Sequence, residues 1–162
     1  MSVKNIDKLL VDYLLTCPDI YNSKLYFNLA DIKDGVNQYL TMTNPRTLEK
    51  RYVDGSVEKT FSATFICYLS ITSNPIVKQS HIINENIADI GSVQALMDWI
   101  EEQNTNKNFP DLGENCVVEE IYTTTISPML SQIDASNTIP LGRYTFTINL
   151  RYTDETGIIW NE

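Results

Sequence analysis

The chain has 162 residues, 43% of them hydrophobic and 20% charged, the proportions of one ordinary globular domain able to bury roughly 70% of its unfolded surface. Lys and Arg number 12 against 21 Asp and Glu, and the net charge of −9 argues against general binding of nucleic-acid phosphate. A basic protein partner, or simple solubility, fits that balance better.

The N-terminal stretch MSVKNIDKLLVDYLL carries Lys4, Asp7, Lys8 and Asp12, so no signal peptide is expected, and no later run is apolar enough for a membrane span. The protein is therefore expected in the cytosol, with Cys17, Cys67 and Cys116, which form no CxxC pair, as free thiols. Val3, Ile6, Leu10, Tyr13 and Leu14 fall at helical steps and predict a helix from Ser2 to Leu15, capped by Ser2 or Asn5 and stopped at Cys17-Pro18-Asp19. Lys24 to Leu29 alternates like a short strand, and Val36 to Met42 reads as another before Thr43-Asn44-Pro45 breaks it.

LEKRYVDGSVEKTFSATFICYLSI, Leu48 to Ile71, reads as a hairpin. A two-residue Asp54-Gly55 loop sets Tyr52 opposite Val57, Arg51 opposite Glu58, Lys50 opposite Lys59, Glu49 opposite Thr60 and Leu48 opposite Phe61. The Lys50/Lys59 pair opposes this register, since like charges face to face cost stability. From Phe61 onward the odd positions Phe61, Ala63, Phe65, Cys67, Leu69 and Ile71 form one apolar face. Glu49 to Thr60, in contrast, carries charge on both faces, which suits it to reach beyond the core.

One helix is expected at Ser92 to Gln103, started by Gly91-Ser92, with Val93, Leu96, Met97 and Ile100 as its apolar stripe and Trp99 beside it. Asn104 to Asn115 reads as a loop, Cys116 to Ile126 as a strand, and Ser127 to Gly142 as an irregular excursion. Loops of this length in a small domain point to function or to an interface. The last strand, Arg143 to Thr153, alternates Tyr144, Phe146, Ile148, Leu150 and Tyr152 with polar residues. The sum is an α+β domain: an antiparallel sheet of about four or five strands, two helices on one face and a protruding β-hairpin.

No residue constellation meets the needs of catalysis, and no cofactor is expected. The one histidine, His81, sits in a polar stretch and reads as a surface residue. No P-loop, GxGxxG, GxSxG or zinc spacing is present. Asp98, Glu101 and Glu102 read as a solvated helix face rather than metal ligands, and Trp99 as packing. Nine tyrosines, an interface-favoured residue, tilt the balance toward a binding or assembly protein over an enzyme.

Three stretches together resemble one family. TNPRTLEKRYVDGSVEKTFSATF (Thr43 to Phe65), DWIEEQNTNKNFPDLGEN (Asp98 to Asn115) and GRYTFTINLRY (Gly142 to Tyr152) are similar, in order and spacing, to segments of the tail terminator proteins of tailed phages of Gram-positive bacteria. These are often labelled minor capsid proteins. The N-terminal helix and the tail Asp154 to Glu162 match only loosely, and the excursion Ser127 to Gly142 is longer than the family pattern.

The resemblance implies a homohexameric ring on the head-proximal end of the tail tube, which ends tube growth and offers a docking surface to the head–tail connector. It also implies incorporation at the head–tail junction of the virion, or the same part in a tail-like particle. Lys50, Arg51, Asp54, Gly55, Glu58 and Lys59 of the hairpin are then the expected interface with a neighbouring subunit or the tube. DNA would only pass through the lumen, and Asp111, Glu114, Glu119 and Glu120 are candidates to line it with repelling charge. The rivals are a tail tube or neck subunit and a small α+β ligand-binding domain.

Overall fold

The computed structural model describes residues 5–20, 25–27, 37–42, 48–71, 85–136, 138 and 140–158. In chain order the elements are α1 (Ile6–Leu14), β1 (Tyr26–Phe27), β2 (Asn37–Met42), β3 (Leu48–Arg51), β4 (Val57–Ser70), α2 (Glu85–Asn106), β5 (Cys116–Thr123), β6 (Met129–Asp134) and β7 (Leu141–Asp154). His81 and Ser2 lie outside the described residues, as do all of 28–36 and 43–47.

The fold is α+β, and its sheet is larger than expected: seven strands, with β4 and β7 at the centre. These two pair antiparallel without interruption from Val57↔Asp154 to Ser70↔Leu141. Beside β4 run β3 at one end and β2 at the other, and beside β7 run β5 and β6 in the same way. Only the short β1 pairs in parallel, with β2.

Alternation in the two long strands decides which face is covered, although Ile66 and Asn149, which point to the other face, are buried too. Phe61, Ala63, Phe65, Cys67 and Leu69 of β4 join Tyr144, Phe146, Ile148, Leu150 and Tyr152 of β7 in one core. Directly opposite each other, Phe65 and Phe146 stack with ring centroids 4.9 Å apart, a contact worth about 0.5–1.5 kcal/mol beyond area burial. From α1 come Leu10 and Leu14, and from α2 Val93, Leu96, Met97 and Ile100, all buried in the same core. Both helices thus lie on one face, tied together where Trp99 meets Tyr13 at 5.3 Å and Tyr13 donates to the Asn108 carbonyl at 2.7 Å.

The helix boundaries differ from the sequence reading. Asn5 caps α1, its side chain accepting from the Lys8 amide. Helix α2 runs from Glu85 straight through Gly91 and ends at Asn106 rather than Gln103. Gly91 is therefore a mid-helix residue and not the start signal. The following loop is anchored by buried Leu112.

Ser127 to Gly142 is not an irregular excursion. It contains β6, which folds back on β7 from Met129↔Thr145 to Asp134↔Leu141. A bulge between Leu130 and Gln132 breaks the alternation and hides the strand from a period-two reading.

The hairpin register also differs, by one residue. Lys50 faces Glu58, Glu49 faces Lys59, Arg51 faces Val57 and Leu48 faces Thr60. The turn is longer than the two-residue loop: Tyr52 N donates to Ser56 O at 2.9 Å and Gly55 N to Tyr52 O at 3.1 Å. Gly55 takes φ +95°. This is a three-residue hairpin loop whose glycine supplies the left-handed conformation of a bulge. Asp54 fixes it by accepting from the Ser56 amide at 2.9 Å and hydroxyl at 2.7 Å. The slip replaces the Lys50/Lys59 repulsion with two opposite-charge pairs, which favours it independently.

The ribbon is backed along its length. Glu58, Lys59 and Thr60 pair with β7 as well as β3, so only the turn from Tyr52 to Ser56 extends past the sheet. Even there the 155–158 segment lies alongside, and a Cβ on Gly55 would collide with the Gly157 carbonyl.

Candidate interaction surface

The hairpin charges divide between the two faces of the sheet, and most are already engaged within the chain. On the helix-free face, Lys50 sits 5.0 Å above the Tyr52 ring, and Tyr52 donates to Glu58 at 2.8 Å. Arg151 of β7 lies on the same face, 3.9 Å from Glu58, 3.5 Å from Glu119 and 3.0 Å from Glu120.

A bulge brings two consecutive glutamates there. The register of β5 shifts between Val118 and Glu120, so Glu119 is an extra residue and both acids share one face. The Thr153 hydroxyl also donates to Glu119. The sequence reading missed Arg151, whose acidic partners come from two different strands. The adjacent Glu119-Glu120 pair was the one signal available.

On the opposite face Lys59 bonds Asp154 at 2.8 Å, with side chains only 22% and 13% exposed. Burial pushes the Asp154 carboxyl up, but hydrogen bonds from Lys59 and from the Thr156 hydroxyl and amide, with the Lys59 charge, bring it down to about 2. Lys59 is thus a structural partner of β7, not a free hairpin cation.

Of the expected interface residues, Arg51 remains the most available: its side chain is 78% exposed and its Glu49 contact is a long 3.4 Å. Exposed pairs of that kind hold little energy. Asp54 and Gly55 build the turn. The turn itself presents apolar surface that the charge reading did not anticipate, with Val53 fully exposed and Tyr52 partly so.

A second apolar surface lies on β6 and the segment before it, where Ile126, Met129, Leu130 and Ile133 are exposed. Among the described residues β6 pairs only with β7, leaving its other edge open. The strand MLSQID has no lysine or proline and no charged residue before Asp134, so the bulge at Ser131 is left to interrupt its edge. Beta6 aligns with the Ser70 end of β4 and the hairpin turn adjoins the Val57 end. With a rise of about 3.3 Å per residue, the two apolar surfaces are roughly 40 Å apart along the sheet.

The other acidic candidates do not form one group. Asp111 and Glu114 are exposed on the loop after α2, whereas Glu119 and Glu120 sit on β5 against Arg151. Asp98, Glu101 and Glu102 are exposed along α2. Among the described residues no group of three or more His, Cys, Asp or Glu could hold a metal ion, and no helix is long and apolar enough to cross a membrane. The three cysteines are separate thiols, with Cys17 and Cys67 buried. A depression of about 270 Å³ beside α1, lined by Asn5, Asp7, Lys8 and Val11, is smaller than ordinary ligand pockets of about 300–1,000 Å³. No protein-family model and no curated protein matches the chain.

Proposed function

We propose that this chain is a ring-forming structural protein of a phage tail or tail-like particle. It caps the head-proximal end of the tail tube, stops its growth and presents a docking surface to the head–tail connector. The observation that carries the reading is the pair of unlike exposed apolar surfaces, the Tyr52-Val53 turn and the β6 edge, at opposite ends of one long sheet. Closed rings require two different surfaces on every subunit, and a homohexamer satisfies this with one repeated contact. The likeness of Thr43 to Phe65, Asp98 to Asn115 and Gly142 to Tyr152 to tail terminator proteins supplies the particular place in the tail.

Assembly would occur in the bacterial cytoplasm and end at the head–tail junction. The net charge of −9 suits a lumen through which DNA passes without sticking; a ring with a strongly basic channel would overturn that part. Electron microscopy of the purified protein, alone and mixed with tail tubes, tests the whole. Closed rings that sit on one tube end are expected. Long cylinders from the protein alone would make it a tube subunit. Failure to associate with itself or with tubes would refute the reading.

A further inference from the structure

We infer that the ring contact joins the hairpin turn of one copy to the β6 edge of the next, a step that rests on the ring reading and specifies its interface. Two lines of evidence on the chain select a second copy as the occupant of β6. The first is chemical complementarity. Beta6 offers Met129, Leu130 and Ile133, with Asp134 at its end, and the turn offers Tyr52 and Val53, with Arg51 at its base. Asp134 is held ionised below the usual carboxylate range by the Ser136 hydroxyl and amide. Arg51 is the exposed hairpin cation with only a weak partner of its own. An apolar centre with one opposite-charge pair at its rim is the usual composition of a specific protein contact.

The second line is placement. Two surfaces at opposite ends of one sheet cannot meet within a chain, so each can meet the other only on a further copy. A two-fold pair makes the contact twice and stops at two copies, whereas a ring makes it once with each neighbour. They join head to tail, which closes into a ring when the rotation per subunit allows. The edge of β6 that is unpaired among the described residues adds hydrogen-bond donors and acceptors to the contact. The charged cluster around Arg151 is left free to face the tube or the connector.

Cysteine pairing in the full chain tests this, with Cys116→Ser in the background to remove the one thiol that is not buried. Val53→Cys chains mixed with Ile133→Cys chains should form a disulfide-linked pair at least about tenfold faster than either alone. Ile133→Cys chains linking to each other would show two-fold β6 pairing and overturn the inference, and native mass spectrometry that finds the unaltered protein stopping at two copies would do the same. Rings that persist with no Val53–Ile133 link would overturn it too, while leaving the ring-forming function intact. Absence of rings and of tube capping by the unaltered protein would instead sink the function itself.

Charge reversal gives an independent readout by native mass spectrometry. Arg51→Asp or Asp134→Arg alone should raise the half-assembly concentration about two- to fivefold. The double reversal should return it to near the unaltered value. Equal damage in the double and single variants would count against the contact.

Discussion

Asp154 gives the sharpest test of how the hairpin is held to the sheet. Asp154→Asn keeps an oxygen to accept from Thr156 but removes the charge 2.8 Å from Lys59, whose own side chain is only 22% exposed. The carboxyl moves from an ordinary 3.8 to about 2 in the folded chain. That difference corresponds to about 2.5 kcal/mol at full strength, and to about 1–2 kcal/mol once solvent screening is allowed for. A depressed folded pKa stabilises above the unfolded pKa and loses that effect as pH falls through the folded one. The advantage over Asp154→Asn should therefore be complete above about pH 5, about half as large at pH 3 and nearly gone at pH 2. Urea unfolding of both proteins at pH 7, 5, 4 and 3 measures the gap directly. At pH 7 the midpoint of thermal unfolding should also fall by roughly 2–8 °C for a chain of this size. A gap that stays constant from pH 7 to pH 3, or one below about 0.5 kcal/mol at pH 7, would refute the assignment of Lys59 to Asp154.

Gly91→Ala should stabilise the protein by about 0.5–1 kcal/mol in urea unfolding, because Gly91 is inside α2 and an added Cβ meets nothing within 4 Å. Gly55→Ala should cost about 1–3 kcal/mol in the same assay, since φ is +95° and the Gly157 carbonyl occupies the Cβ position. Tyr13 and Tyr152 are pushed up to about 12 by burial. Their neutral forms stabilise the fold below the ordinary pH 10, and that effect is lost as pH rises through about 12. Ultraviolet titration should show late-ionising tyrosines, one fewer in each of Tyr13→Phe and Tyr152→Phe. Arg151→Leu should strand three glutamates on one face, destabilising by about 1–3 kcal/mol at pH 7 and less at pH 4, as circular dichroism melts at both pH values can show.

The long strands β4 and β7 were legible because their apolar residues recur at every second position, even though Ile66 and Asn149 break the contrast between the faces. The apolar stripe of α2 was legible for the same reason, at a helical period. What escaped the sequence was every feature that depends on a bulge or a slip. Glu119 and Ser131 each interrupt a period of two, so β6 read as a loop and the Glu119-Glu120 pair as unplaced charge. The hairpin register turned on whether Gly55 belongs to a two-residue or a three-residue loop. Local composition permits both. The charge pairs across Lys50/Glu58 and Glu49/Lys59, and the close approach of Gly157, favour the longer one. Gly91 misled in a different way, since a glycine on the exposed side of a long helix costs too little to end it. The candidate interface was half visible: its charges were countable, but their internal partners on β7 were not, and the exposed Val53 looked like an ordinary turn residue.

The continuous β4–β7 ladder has a mechanical consequence. Fourteen residue pairs in register run from the hairpin end of the molecule to the β6 end. A pull applied between those ends loads the ladder in shear, so that many hydrogen bonds resist together instead of parting one after another. If copies of the chain grip one another at those two ends, tension between them passes along this ladder and not through the helices. The proposed ring would then be stiffest along its circumference.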